Sequence, residues 1–259
     1  MRRAGGRLEV GGALAAVALA GLAVVACGDD DEAGGGGELI VSAAASLQPA
    51  FSAYAEDAGI DAKQSFAGSD ELAAQIRQGV KPDVYAAANT SLPDELHAEG
   101  LVGEPVVFAS NRLVLAVPAG SEVDSLDDLG QEGLALAIGE EGVPVGDYTR
   151  EVLSGLGGDQ SDAILANVRS EEPDVAGIVG KLTQGAVDAG LVYVTDVTAT
   201  GGELEAIELP PRLQPEVAYG AAVVEGAEHP DEASAFIDGL LSGAGADALR
   251  EAGFGPPRS

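Results

Sequence analysis

The chain has 259 residues and a formal net charge of -30, from 43 Asp plus Glu against 13 Lys plus Arg. That length serves one large domain or two modest lobes, and a hydrophobic fraction of 46 % supports a packed core rather than disorder. The acid excess argues against nucleic-acid binding, which needs basic stripes to displace counterions, and against adhesion to anionic lipid heads.

At the start of the chain, Arg2, Arg3 and Arg7 precede the apolar run GGALAAVALAGLAVVA, and Cys27 follows. A basic segment before a short apolar one reads as an export signal. The run falls short of the roughly 20 apolar residues that a membrane span needs. Cys27 is the single cysteine, so no intrachain disulfide forms. Val24-Val25-Ala26-Cys27 resembles the lipobox of bacterial lipoproteins. That resemblance implies removal of residues 1–26 and a diacylglyceryl group on the Cys27 sulfur, which anchors the protein on the outer face of the cytoplasmic membrane. Arg2-Arg3 leaves both the Sec and the twin-arginine export routes open. The acid- and glycine-rich stretch that follows predicts a tether over 27–37.

In the body, 39–42 reads as a short buried strand. Ser46 then falls at a helix N-cap, followed by Leu47, Ala50, Phe51, Tyr54, Ala55 and Ala58 at helical spacing, with Gly59 as the stop. A second helix starts with Ser69 at its cap and carries the stripe Leu72, Ala73, Ile76 and Val80. Strand 82–88, a helix near 93–99 stopped by Gly100, and strand 112–118 come next. The alternation then repeats: strand 134–138, a helix from GVPVGDYTREVL, a helix from DVAGIVGKLTQG closed by Gly185, and strand 189–194. Strand 216–224 and two helices, 231–241 and 245–252, complete the chain. This order predicts an α/β protein with mostly parallel sheets.

Three places, 43–46, 67–69 and 142–146, share one design: a strand ends, small residues follow, and a helix opens. The segment 173–175 opens another helix. Each helix start presents unpaired N–H groups and a partial positive charge, and several converging ends make an anion site without a cation.

Five stretches, AAASL, SFAGSDELAAQIRQGVKPDVYAAA, GVPVGDYTREVL, GAVDAGLVYVTD and the GF near the C-terminus, resemble the bacterial molybdate-binding proteins in their order and spacing. Those are the extracytoplasmic receptors of ATP-binding cassette importers, and the similarity covers most of 38–255. The resemblance implies a two-lobed type II periplasmic-binding-protein fold with the ligand between the lobes. Chain crossings are expected near 110–118 and 214–224, with 38–113 and 219–259 as lobe 1 and 114–218 as lobe 2. It also implies a molybdate or tungstate site of neutral donors: the hydroxyl and N–H of Ser46, Ser69, the N–H groups of Val145 and Val175, and the Tyr193 phenol. Molybdenum enters only as the centre of the oxyanion, and no other cofactor is expected. The implied partners are a permease subunit and, through Cys27, the membrane; a monomer is expected.

Four positions depart from that pattern. Gly68 stands where a serine is common, Asp70-Glu71 follow Ser69 directly, and Val145 stands where alanine is usual. Two acids beside a dianion oppose binding unless they point to solvent. Asp174 reads as a helix cap or first-turn acid. Enzymatic readings find little support: His97 and His229 sit at polar helix edges, G-x-S-x-G and P-loop patterns are absent, and no His/Cys cluster suits a transition metal. A receptor for sulfate, phosphate or another anion, and a non-binding structural lipoprotein, are the alternatives.

Overall fold

Apolar runs rich in Val, Ala and Leu fold as strands, and the amphipathic stretches between them fold as helices. The computed structural model describes residues 37–257. The export signal, Cys27 and the tether before Gly37 lie outside the described residues. The first part of the chain forms β1 (Leu39–Ala44), α1 (Gln48–Ala58), β2 (Ala62–Ala67), α2 (Ser69–Arg77), β3 (Val84–Ala87), α3 (Ser91–Ala98) and β4 (Val106–Asn111). The middle forms β5 (Leu113–Pro118), β6 (Leu136–Gly139), α4 (Pro144–Ser154), α5 (Gly158–Ala166), β7 (Val168–Glu172), α6 (Val175–Thr183), β8 (Ala189–Tyr193), α7 (Val194–Ala199) and β9 (Leu204–Glu208). The chain ends with β10 (Val217–Val223), α8 (Pro230–Leu241) and α9 (Ala244–Glu251).

The strands make two five-stranded sheets, ordered β2-β1-β3-β10-β4 and β7-β6-β8-β5-β9. In each sheet four strands run one way and one runs against them: β10 in the first, β5 in the second. Each reversed strand is the first that the chain forms after leaving the other sheet. The chain crosses between Asn111 and Leu113 and returns between Glu208 and Val217. Leu113 therefore belongs to the second sheet, and Val217 and Ala218 belong to the first. Asn111 donates to the Thr195 hydroxyl at 2.9 Å, linking β4 to α7 beside the crossing. Arg112 pairs with Glu208, so the two crossings are tied to each other on the exposed side.

The central strands are buried on both faces, with Val41, Val84, Leu113, Leu115 and Val192 at 0 to 1 % exposure. Side chains of this size contribute about 1.5–3 kcal/mol each when fully buried. Phe51 packs edge-on against Phe236 at 5.3 Å, which seats α1 on α8.

Several local expectations are corrected. Ser46 is not an N-cap: β1 runs on to Ala44, a single 3-10 turn spans Ala45–Leu47, and Pro49 in the first turn sets the start of α1 at Gln48. Ser69 is the first helical residue of α2, with Gly68 in the cap position. Val80 is 49 % exposed and lies beyond α2, because Gly79 adopts φ 96 and ends the helix. Strands β2, β4, β7 and β9 and helices α5 and α7 add to the expected elements.

Candidate ligand-binding site

Of the eight strands that run against the two reversed ones, all but the edges β4 and β9 end at one cavity between the sheets. The wall comes from Ala44–Ser46 after β1, Ala67–Ser69 after β2 and Ala88 after β3 in the first sheet. The second sheet contributes Val143–Val145 after β6, Asp174 and Val175 after β7, and Tyr193 at the end of β8. Ligands bind outside the carboxyl ends of strands in such sheets because helix N-termini gather there. The void is about 220 Å³ including its mouth. Space on that scale suits a ligand of a few heavy atoms.

Each of the five expected site residues, Ser46, Ser69, Val145, Val175 and Tyr193, lines this cavity. Ser69 and Val175 are the first residues of α2 and α6, and Val145 is the second of α4. Their N–H groups precede the first i to i−4 bond and have no intrahelical carbonyl to bond. Two glycines let α4 approach so closely: a Cβ on Gly146 would lie 2.0 Å from the Glu140 carbonyl oxygen.

The hydroxyls are held in defined roles. The Ser69 oxygen accepts from the Ala88 N–H at 3.1 Å, which leaves its proton for another acceptor. The Ser46 oxygen lies 3.0 Å from the Tyr219 phenol. Asn111 donates to Tyr219 at 3.4 Å. Either hydroxyl can donate in that pair, because the phenol oxygen keeps a second lone pair beside the one that Asn111 occupies. The Tyr193 hydroxyl is fully buried and has no hydrogen-bond partner among the described residues. Burial first, then the neighbouring Tyr219 and Tyr148, hold its pKa well above the usual tyrosine value, so it stays a protonated donor. Its ring is fixed edge-on between Tyr148 and Tyr219, at 6.4 and 5.8 Å. Phe254, from the GF near the C-terminus, packs on Tyr219 at 5.3 Å.

Among the described residues no Lys, Arg or His lines the cavity, and one carboxylate does. That carboxylate, Asp174, caps α6 by accepting from the Gly177 N–H at 2.9 Å. Among the described residues no group of His, Cys, Asp and Glu is placed to hold a metal ion. Glu71 points to solvent, where it accepts from Gln75. Asp70 does not: its Oδ1 is buried without a partner, and burial raises its pKa. Tyr219, Asn111 and Asp196 are site-supporting residues that sequence reasoning missed. The Tyr219 signal, a tyrosine inside the apolar run EVAYGAAVV, reads equally as core. Asp196 accepts from the Tyr193 N–H at 3.0 Å and so fixes the end of β8.

Comparison with known proteins gives a consistent result. The family model for bacterial extracellular solute-binding proteins matches residues 39–255. The molybdate-binding protein ModA of Mycobacterium tuberculosis is 34 % identical over 223 residues, covering 83 % of this chain and 83 % of that one. ModA of Haemophilus influenzae is 29 % identical, covering 82 % and 87 %. The periplasmic molybdate-binding protein of Azotobacter vinelandii superposes with a TM-score of 0.76 at 20 % identity, covering 85 % of this chain and all of that one.

Proposed function

This chain belongs to the bacterial extracellular solute-binding proteins, and from that premise we propose that its cavity captures molybdate for delivery to an ATP-binding cassette permease. The carrying observation is the donor set: three helix starts, two serine hydroxyls and one unpartnered phenol converge on a small cavity with no cationic side chain. A tetrahedral dianion offers four acceptor oxygens and no donor. Backbone N–H groups cannot turn a lone pair toward it, and the Ser69 oxygen is engaged by the Ala88 N–H. The ModA relatives carry the same ligand in their names. Tungstate, nearly equal in size and charge, fits the same donors. Sulfate, with shorter bonds to oxygen, leaves some of them short of contact, at about 1.5–3 kcal/mol for each missing bond to charge.

The family binds solutes and is not a class of enzymes. Its members work outside the cytoplasm, and no described helix is long and apolar enough to cross a membrane. We further read Cys27 as the lipidated residue that follows a signal peptide over 1–26, and the working unit as a monomer. Mass spectrometry of the protein from membranes checks the lipid, expecting a diacylglyceryl adduct on Cys27. Calorimetric titration with molybdate, tungstate, sulfate and phosphate tests the ligand. The expected order is molybdate and tungstate together, far ahead of sulfate and phosphate. Preferential binding of sulfate or phosphate overturns the assignment.

A further inference from the structure

Gly68 occupies an ordinary backbone conformation, φ −58 and ψ 136, which any residue can adopt. The backbone therefore gives no reason for glycine. Space does: a Cβ there would lie 2.4 Å from the Pro173 carbonyl oxygen and 2.9 Å from Asp70 Oδ1. The Asp70 side chain can swing aside, but Pro173 is main chain and cannot. Other glycines with approaches this close, such as Gly139, Gly146, Gly190 and Gly245, meet residues of their own sheet and its helices. Gly68 meets the opposite one. It caps α2 in the first lobe, and Pro173 joins β7 to α6 in the second. Both neighbours of this contact, Ser69 and Asp174, line the cavity.

We propose that Gly68, which stands in this chain where the proteins it resembles commonly carry serine, is the positioning residue that sets how far its own two lobes close on the bound anion, by letting the Pro173 carbonyl seat against the main chain at position 68 more closely than a side chain there would allow. The proposal rests on the reading of the cavity as the anion site. Pro173 leads directly into the Val175 N–H. Holding Pro173 away by the bulk of one methyl group draws that donor back from an anion held by Ser46 and Ser69. The lobes then still meet the ligand one at a time, but they do not lock. Association, which takes place on the open cleft, is insensitive to position 68; dissociation from the closed form is not.

Gly68→Ala tests this in stopped-flow tyrosine fluorescence, using whichever of molybdate, tungstate, sulfate and phosphate the wild type binds. The expected result is an association rate within twofold of wild type and a dissociation rate at least tenfold faster. The ligand-free melting temperature should equal or exceed that of the wild type, because the alanine restricts the unfolded chain and meets no obstacle while the cleft is open. An unchanged dissociation rate overturns the proposal, and so does a fall in the ligand-free melting temperature, which marks a packing fault within one lobe. If the wild type binds sulfate or phosphate in place of molybdate, the ligand assignment fails while Gly68→Ala still decides the role of position 68. If it binds none of the four, both fail together.

Discussion

The Tyr193 phenol is a buried donor without an acceptor. In the closed cleft a bound anion supplies that acceptor, and in the open, ligand-free cleft water does. Tyr193→Phe should weaken molybdate binding about tenfold, equivalent to about 1.4 kcal/mol, while the ligand-free protein melts no lower than wild type. Calorimetry and thermal melts on the same sample check both halves; a lower melting point with intact affinity sinks the donor role. The two serines behave differently because each also serves a buried neighbour. Ser46→Ala removes the hydrogen-bond partner of the Tyr219 hydroxyl, and Ser69→Ala strands the Ala88 N–H. Each should therefore cost about 1–3 kcal/mol of ligand-free stability, against about 1 kcal/mol for a simple cap, together with about 1.5–3 kcal/mol of binding. Denaturant titrations with and without molybdate separate the two losses. The five expected residues at one cavity were legible through the resemblance to the molybdate-binding proteins; their local patterns alone marked only strand ends and helix starts. Tyr219 and Asn111 were not legible, since their roles depend on neighbours more than 80 positions away in the chain.

At the level of elements, α7 shows how a helix start can hold a site. Its first turn is clamped by Asp196 on the Tyr193 N–H, and burial pushes the Asp196 carboxyl up to about 7. The folded-state value lies above the ordinary carboxylate value near 3.9, so the native state holds this proton more tightly than the unfolded chain does. The associated stability is complete below about pH 4 and is lost as pH rises through about 7. Asp196→Asn keeps an oxygen acceptor and removes the titration. Its stability relative to wild type should increase between pH 4 and pH 8, read from urea midpoints at both values; a constant difference would show that Asp196 carries no such proton. The strands themselves divide by position. The six that sequence reasoning located are the six interior strands, and the four that it left out, β2, β4, β7 and β9, are the four edges. Interior strands are covered on both faces and read as continuous apolar runs. An edge such as β7, Val-Arg-Ser-Glu-Glu, alternates half-covered with exposed residues and carries charge that blunts an open edge. Its sequence resembles a loop for that reason. β2 was marked only by its end, at the small residues before Ser69.

Over the whole molecule, a chain of net charge -30 captures an anion. The local donors act within a helical turn, whereas the surface carboxylates act through water and salt. Raising ionic strength from about 10 mM to about 150 mM shortens the screening length from about 30 to about 8 Å. Molybdate association should therefore speed up and dissociation should change little, as followed by tyrosine fluorescence. A steep slowing that depends on the identity of the added anion, and not on ionic strength alone, would instead reveal competition in the cleft. The double crossing of the chain has a further consequence, for biogenesis. The second sheet is built from one uninterrupted stretch, Leu113 to Glu208, and can be completed while the remainder is still being made or threaded across a membrane. The first sheet cannot. Its fourth strand in spatial order, β10, wedges between β3 and β4 more than 100 residues after both have left the translocation machinery. Until residue 223 arrives, β3 and β4 present unpaired edges, and long-range pairings of this kind form slowly and expose sticky intermediates. The order of synthesis thus makes the last sixth or so of the chain, from Val217 on, the gatekeeper of foldedness: a polypeptide that stalls before β10 has one finished half and one that invites aggregation or proteolysis.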